Sequence, residues 1–443
     1  MTTRVDIRLS SEAALHPPPG VPGWAPARPI AAAEDPPRAL GGASRSPRLI
    51  YYCHDTFGLG HLRRTLKIAE SMAFARPDAS HLVVTGSPVP QRFVLPDAID
   101  YVKLPSVVKI GAERYAARSL AIPFDMVRDL RRQMVSGLAD TFRPDLLLVD
   151  HAPAGLAGEV LPALDSLRRR SPATQLVLGL RDVIDEPARV RAAWRRDGIY
   201  ELLDEVYDLI LVYGQREVYD IVDAYGLSER AAAKVRYVGY LGARATSPQR
   251  VAEVRRGLGL RTDRLVLVTG GGGGDGHAML ATILTALRQE PALGFDCLLV
   301  TGPLMSRVER EALSERAAGL RGVTVTEFVE DMPALMAAAD AVVSMGGYNS
   351  VCELLDCGRP GLLVPRVDPR REQLIRGRAL QRRGLLRLVH PNELSVARLM
   401  AELRQLLDDP PATERRALAG LSVVASVLAA ALPGRGAIGR GAG

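Results

Sequence analysis

Three glycine-bearing stretches fall where a strand would hand over to a helix, and each carries groups suited to protons or phosphate. The first is His54-Asp-Thr-Phe-Gly58-Leu-Gly60-His61-Leu-Arg-Arg64. Glycines in such a turn let backbone amides approach an anion, and the following helix N-terminus adds partial positive charge; Gly58, Gly60 and Arg64 are therefore candidates for a phosphate or acceptor loop. The same helix dipole disfavours a protonated imidazole, which makes His61 a candidate general base near neutral pH. A ligand hydrogen bond or a loop cap is the alternative role for His61.

The second stretch, Thr269 followed by five glycines and then Asp275-Gly276-His277, offers Gly271, Gly272, Gly273 and Gly276 as an amide cradle for a diphosphate. Gly271, Gly273 and Gly276 also match GxGxxG, but no acidic residue closes the next strand to hold a dinucleotide ribose, so a nicotinamide oxidoreductase is disfavoured. A tight turn requiring positive φ is the structural alternative. The third runs from Asp340 to Pro365 through Gly346-Gly347-Tyr-Asn349-Ser350-Val-Cys-Glu353. Ser350-x-x-Glu353 is also a capping box. Either role puts Glu353 in the first helical turn, beside amides that would meet a phosphate, where its carboxylate can accept two hydrogen bonds from a ribose diol.

Short apolar runs between these turns predict buried strands at Arg48 to Cys53, His81 to Thr85, Leu146 to Val149, Leu176 to Leu180 and Leu209 to Val212, separated by helical spacing such as Asp125 to Phe142. The rhythm restarts with Leu265 to Thr269, Cys297 to Thr301, Val323 to Val325, Ala341 to Ser344 and Gly361 to Val364. Strands alternating with helices predict an α/β chain of two Rossmann-like, doubly wound parallel-sheet domains facing a cleft, with ligands at the carboxyl ends of the strands. The expected divisions are a disordered Pro/Ala/Gly-rich extension over 1–47, a first Rossmann-like domain over 48–240, a second over 241–410, and a C-terminal helix and tail over 411–443, with a hinge at 237–248. Asp150-His151 and Arg181-Asp182 end predicted strands of the first domain. Asp150 and Asp182 are accordingly second-base or acceptor-site candidates, with helix caps and loop salt bridges as the alternative.

An apolar share of 47% against 24% charged residues suits an ordinary globular protein. No secretory leader or membrane-spanning run is recognised, and Cys53, Cys297, Cys352 and Cys357 form neither a CxxC pair nor a zinc pattern, so no metal site and a cytoplasmic setting are expected. The net charge of +7, carried almost wholly by Arg, suits phosphate-bearing ligands or peripheral contact with an anionic membrane, with genome composition as the stronger alternative source of an Arg-rich surface. Nucleic acid is disfavoured, since no basic stripe interleaves with aromatics.

The Asp340 to Pro365 stretch resembles the donor-site signature of GT-B glycosyltransferases of the peptidoglycan N-acetylglucosaminyltransferase type, which carry a family 28 C-terminal domain. The resemblance implies that Glu353 holds the nucleotide ribose and that Gly346, Gly347, Asn349 and Ser350 meet the diphosphate. Glu327-Phe328-Val329-Glu330-Asp331 is similar to that family's uracil loop, which makes Phe328 and Val329 base-site candidates. Where the family has paired glutamines on the donor sugar, this chain has Glu372 and Gln373, so Gln373 keeps a sugar-binding role and the sugar need not be N-acetylglucosamine. The form Gly58-x-Gly60-His61-x-x-Arg64 is closer to nucleotide-sugar hydrolases of bacterial nonulosonate synthesis. The expected activity is therefore inverting, metal-independent transfer from a nucleoside diphosphate sugar, a UDP-sugar above all, to a small-molecule or lipid acceptor, with no cofactor beyond that substrate. A hydrolase in which His61 activates water and a non-catalytic nucleotide-binding protein are the alternatives.

Overall fold

The computed structural model describes residues 45–54, 60–92, 95–110, 114–242, 246–290, 294–408 and 418–432. The expected extension thus lies almost wholly outside the described residues, as do Gly58 and most of the expected tail.

Two all-parallel sheets organise the chain. The first joins β1 (Arg48–Cys53), β2 (Ser80–Thr85) and β3 (Ile99–Lys103), then, after a small antiparallel hairpin of β4 (Val107–Lys109) and β5 (Tyr115–Ala117), β6 (Leu146–Asp150), β7 (Gln175–Arg181), β8 (Leu209–Tyr213) and β9 (Val235–Tyr237). Its order is β3-β2-β1-β6-β7-β8-β9. The second contains β10 (Leu265–Thr269), β11 (Asp296–Val300), β12 (Val323–Thr326), β13 (Ala341–Ser344), β14 (Gly361–Leu363) and β15 (Arg387–Leu388), ordered β12-β11-β10-β13-β14-β15. Counted within itself, the second sheet has the nucleotide-binding order 3-2-1-4-5-6, and the first extends that order by one strand. The central strands are apolar because helices cover both faces: β6, β10, β11 and β13 are buried along their whole length.

In such a sheet the strand order reverses between β1 and β6, and again between β10 and β13, opening a crevice at each reversal. Those four strand ends carry the turns singled out above. The helices that matter are α1 (Gly60–Ala75) after β1, α2 (Phe124–Phe142), α3 (His277–Gln289) after β10, α4 (Tyr348–Cys357) after β13, α5 (Glu372–Arg382) after β14 and α6 (Gly420–Ala431).

Two details concern how the halves join. The segment expected as a hinge begins within β9, and two residues just beyond that strand are tied down: the Tyr240 hydroxyl donates to Asp182 at 3.2 Å and the Leu241 amide to the Tyr348 hydroxyl at 3.4 Å. Helix α6, in the C-terminal segment, seats on α1 of the first domain, where the Ser71 hydroxyl donates to the Leu421 carbonyl at 3.1 Å. One apolar cluster accordingly runs through both halves, from Leu49, Leu66 and Met72 through Tyr240 and Tyr348 to Leu354, Val424 and Leu428.

Candidate active site

Helix α1 begins at Gly60 and sets His61 in its first turn, while β6, the strand beside β1, ends at Asp150. This adjacency brings His61 Nδ1 to 2.7 Å from Asp150 Oδ2. Arg64, one turn along α1, donates from Nε to Asp150 Oδ1 at 2.9 Å and from Nη2 to Oδ2 at 2.5 Å. Burial alone would raise the Asp150 pKa, but the Arg64 charge and the His61 and Arg64 hydrogen bonds outweigh it and hold the carboxyl well below its ordinary range. An ionised carboxylate only accepts, so the proton on His61 sits at Nδ1 and Nε2 carries the lone pair. Arg64 Nη2 also lies 3.0 Å from Nδ1. That approach follows from sharing Asp150, because two donors cannot hydrogen-bond each other. Arg64 is buried against the faces of Tyr213 and Tyr348, with its guanidinium carbon 5.7 and 5.5 Å from the ring centroids, so it fixes the carboxylate rather than reaching for a phosphate.

His54 and His151 flank His61, with ring centroids 4.6 and 5.3 Å away. Burial, and then the neighbouring charges of His61 for His54 and of Arg181 for His151, push both well below the ordinary histidine pKa of 6.5. His151 also stands in the left-handed region at φ +67°, a conformation that costs a non-glycine residue energy and that clusters at functional sites.

In the second domain, Gly273 has φ +98°, and a Cβ there would stand 2.5 Å from the Thr301 carbonyl oxygen, so the turn needs glycine on both counts. The amide cradle expected over Gly271 to Gly276 requires correction. The amides of Gly271, Gly273 and Gly276 donate to Thr269 Oγ1, Gly270 O and Gly273 O within the turn itself, at 3.1, 3.1 and 3.3 Å. Gly346 likewise donates to Ser344 Oγ, at 3.3 Å. The N–H groups that helix geometry leaves without an intrahelical partner are those of the first turns: His277, Ala278 and Met279 in α3, and Tyr348, Asn349 and Ser350 in α4. Neither helix has a side-chain cap hydrogen bond. The glycines therefore shape the turns that aim two helix N-termini. The capping-box alternative for Ser350 and Glu353 is not formed, since Gly347 is the N-cap.

Glu353 is turned to the opposite domain. Its Oε1 accepts from Arg63 Nη2 at 2.9 Å and lies 3.7 Å from Lys67 Nζ, while only 2% of its side chain is exposed. The i, i+4 spacing of Arg63 and Lys67 on α1 puts both cations on one face, a local signal that marks neither as a partner of Glu353. Asn349 Nδ2 donates to the Gly60 carbonyl at 3.2 Å, so the two switch points touch. Phe328 is 58% exposed, whereas Val329 is half-buried and lines a hollow with Arg250, Val254 and Leu335. Gln373 Oε1 accepts from the Arg366 amide at 2.8 Å, and Glu372 pairs with Arg366 Nη2 at 2.6 Å.

Asp182 does not stand open toward an acceptor. Arg376 of α5 grips it, with Nε 2.9 Å from Oδ2 and Nη2 2.8 Å from Oδ1, and both side chains are essentially fully buried. It is an interdomain tie. The Arg371 amide adds another by donating to Asp185 at 2.9 Å. Among the described residues no group of three or more His, Cys, Asp or Glu is placed to hold a metal ion.

Residues 265–428 match the glycosyltransferase family 28 C-terminal domain. The whole described fold is GT-B: over 88% of the chain and all of the solved one it aligns with the glycotransferase of kitacinnamycin at a TM-score of 0.60 and 18% identity, and over 87% of the chain with the full MurG of Acinetobacter baumannii at 0.55 and 14%. Among sequence relatives, a UDP-N-acetylglucosamine--N-acetylmuramyl-(pentapeptide) pyrophosphoryl-undecaprenol N-acetylglucosamine transferase from Desulforudis audaxviator is 27% identical over 372 residues, 79% of this chain and 88% of that protein. Proteins of the same name from Exiguobacterium and Alkaliphilus metalliredigens are 32% and 28% identical over 38% and 35% of the chain, and the chain spans only 46% and 42% of their lengths. The family 28 domain begins at β10 and ends inside α6, so it holds the glycine turn, Glu353 and Gln373, while the His61–Asp150 pair lies outside it.

Proposed function

We propose that the chain transfers a sugar from a nucleoside diphosphate donor, with UDP as the nucleotide, to an acceptor hydroxyl, inverting the anomeric centre and using no metal. The observation that carries this reading is the His61–Asp150 pair, 2.7 Å apart, standing against the N-terminus of α4, which has no side-chain cap among the described residues. Asp150 keeps the proton on His61 Nδ1, and Nε2 takes the proton of the acceptor hydroxyl as its oxygen attacks the anomeric carbon. The bond from that carbon to the diphosphate breaks on the opposite face, which is why a single displacement inverts. Charge growing on the leaving diphosphate meets N–H groups of α3 and α4 that are oriented before reaction. Glu353 takes the ribose diol once Arg63 gives way, and opening about the 237–248 segment supplies the entry path. The named relatives act on a pyrophosphoryl-undecaprenol acceptor. A lipid-linked or soluble sugar acceptor reached by peripheral membrane contact is the corresponding proposal for this chain, in which no described helix is long and apolar enough to cross a membrane.

Calorimetry with UDP and a panel of UDP-sugars, paired with a UDP-release assay, tests the reading. Donor binding that survives His61→Ala but is lost in Glu353→Ala, with UDP release only when an acceptor is present, is the expected pattern. Release in buffer alone at the full rate would replace transfer by hydrolysis.

A further inference from the structure

A buried ion pair lies beneath the first switch point and takes no part in the chemistry assigned above. Arg131 of α2 meets Glu159, which follows the short turn Leu156–Gly158 on the loop after β6. Arg131 Nε donates to Glu159 Oε2 and Nη2 to Oε1, both at 2.6 Å, and both side chains are fully buried. The rest of the guanidinium fork is taken up by backbone: Nη1 donates to the Pro105 carbonyl at 2.8 Å and Nη2 to the His54 carbonyl at 3.3 Å. Glu159 Oε1 also accepts from the Tyr52 hydroxyl, which in turn accepts from the Leu156 amide at 3.2 Å.

His54 follows β1, the strand that leads to His61, and Glu159 closes the loop that starts with His151 just after Asp150. One ion pair thus ties together the two strand ends whose spacing brings His61 within 2.7 Å of Asp150. The fit is close. A Cβ at Gly86 would stand 2.1 Å from the His54 carbonyl oxygen and 2.7 Å from Arg131 Nη1, so a larger residue there would have to displace this contact. The His54 ring, 4.6 Å from that of His61, carries the placement on to the dyad.

Both parts of the arrangement are costly. An ion pair taken wholly out of water is often no more stabilising than apolar groups of similar volume. The loop that it holds places two non-glycine residues, His151 at φ +67° and Ala157 at φ +48°, in the left-handed region. Such conformations persist only where the surroundings over-determine them, and they cluster at functional sites. Stability alone accounts for neither feature, whereas a fixed spacing between the ends of β1 and β6 accounts for both.

We propose that Arg131 and Glu159 are positioning residues, and that their pair sets the spacing of the two strand ends and thereby holds His61 Nδ1 on Asp150. Arginine suits this task because its planar fork reaches a carboxylate and two carbonyls at once, which the single ammonium of lysine does not reproduce. That the dyad takes a proton from an acceptor hydroxyl rests on the transferase reading; its placement by the buried pair does not.

The dyad is read directly on the full chain, from the imidazole nitrogen NMR signals of His61, with urea unfolding and UDP calorimetry alongside. In the native protein the protonated Nδ1 and the bare Nε2 should give two well-separated signals. The Arg131→Met, Glu159→Leu double variant should unfold cooperatively, because a buried pair is often replaceable by apolar groups. It should keep its UDP affinity, while the His61 signals move toward each other as the proton is shared between the two nitrogens. Arg131→Lys, which keeps a charge beside Glu159 and lacks the fork, should move them part of the way. Where the double variant does not fold, Arg131→Lys decides by the same criterion. Native His61 signals in the folded variants, or signals that move only together with a fall in UDP affinity, overturn the proposal, since the pair would then be ordinary support for the domain. Turnover enters none of these readings, so a chain that released no UDP from UDP-sugars would overturn the transferase reading and leave the positioning result standing.

Discussion

The two switch points have the same topology and opposite chemistry. At β1 and β6 the strand ends carry His54, His61, Asp150, His151 and Arg64, groups that hold, move or orient a proton. At β10 and β13 they carry glycines and the bare first turns of two helices, groups that stabilise negative charge without exchanging protons. The crevice therefore does not decide which chemistry it hosts. The residues in the first helical turn do, because that turn is where side chains or unpaired amides are presented to a ligand. A displacement reaction has two ends, an attacking oxygen that must lose a proton and a leaving oxygen that must gain negative charge, and the proposed transfer assigns one end to each half.

The largest expected effect tests the proton-handling half. His61→Ala should lower the turnover of transfer by about 10²–10⁴-fold, the range of a general base, with donor affinity unchanged in calorimetry. Asp150→Asn should follow in the same direction, since an amide can donate to Nδ1 and move the imidazole proton to Nε2. If His61→Ala weakened UDP binding as much as it slowed transfer, the division between halves would be broken.

The next effect concerns the joint. Arg376 and Asp182 are buried against each other across the domains, and removing one charge strands the other. Asp182→Ala should destabilise the chain by about 3–5 kcal/mol in urea unfolding, whereas an Arg376→Met, Asp182→Leu double variant should recover much of the loss, because a buried pair is often replaceable by apolar groups. A double variant as unstable as the single one would mean that the tie also satisfies backbone groups, and Arg376 Nη1 does reach the Gly346 carbonyl at 3.2 Å.

Smaller again is the effect on the charge-stabilising half. Glu353→Gln should weaken UDP binding by roughly 10–100-fold, the worth of hydrogen bonds to an ionised group, and leave acceptor binding in the absence of nucleotide unchanged. Arg63→Ala should act oppositely on UDP affinity, since it frees the carboxylate that the ribose must reach. Equal weakening in both variants would make Arg63 a ligand contact and not a gate.

How much of this was legible in the sequence follows the same divide. The strands showed because buried parallel strands are continuous apolar runs, and Arg48–Cys53, Leu265–Thr269 and Ala341–Ser344 have the expected bounds. The edge strands β3, β9 and β15 did not show: Ile99–Lys103 alternates with polar residues and Arg387–Leu388 is too short to register. Glycine turns and first-turn residues are local, so a linear pattern reveals them. Partners such as Arg376 for Asp182, or Arg63 for Glu353, lie 194 and 290 residues apart, and nothing local marks one member as reserved for the other. The local sequence at a strand end therefore marks the right group but not whether that group is free, as Asp182 shows.

The smallest effect is a pH dependence that separates the histidines of the first half. His151 is nearly buried and its folded pKa is pushed well below 6.5 by burial and the Arg181 charge, so it stays neutral in the folded chain while the unfolded chain takes up a proton. Stability is then full above about pH 6.5 and declines as the pH falls below it, by at most about 1.4 kcal/mol per pH unit for one such group, until the folded pKa is reached. His151→Asn removes the titration and keeps a residue that tolerates positive φ. Its urea midpoint should fall less steeply than that of the native chain between pH 6.5 and 5. Asp150 cannot mimic this change, because its depressed pKa contributes stability that is complete above the ordinary carboxylate range and is lost only in stronger acid. Parallel slopes for the two proteins would show that His151 is protonated when folded, which would make both ring nitrogens donors and leave Arg181 Nη2, 3.0 Å from Nε2, facing another donor.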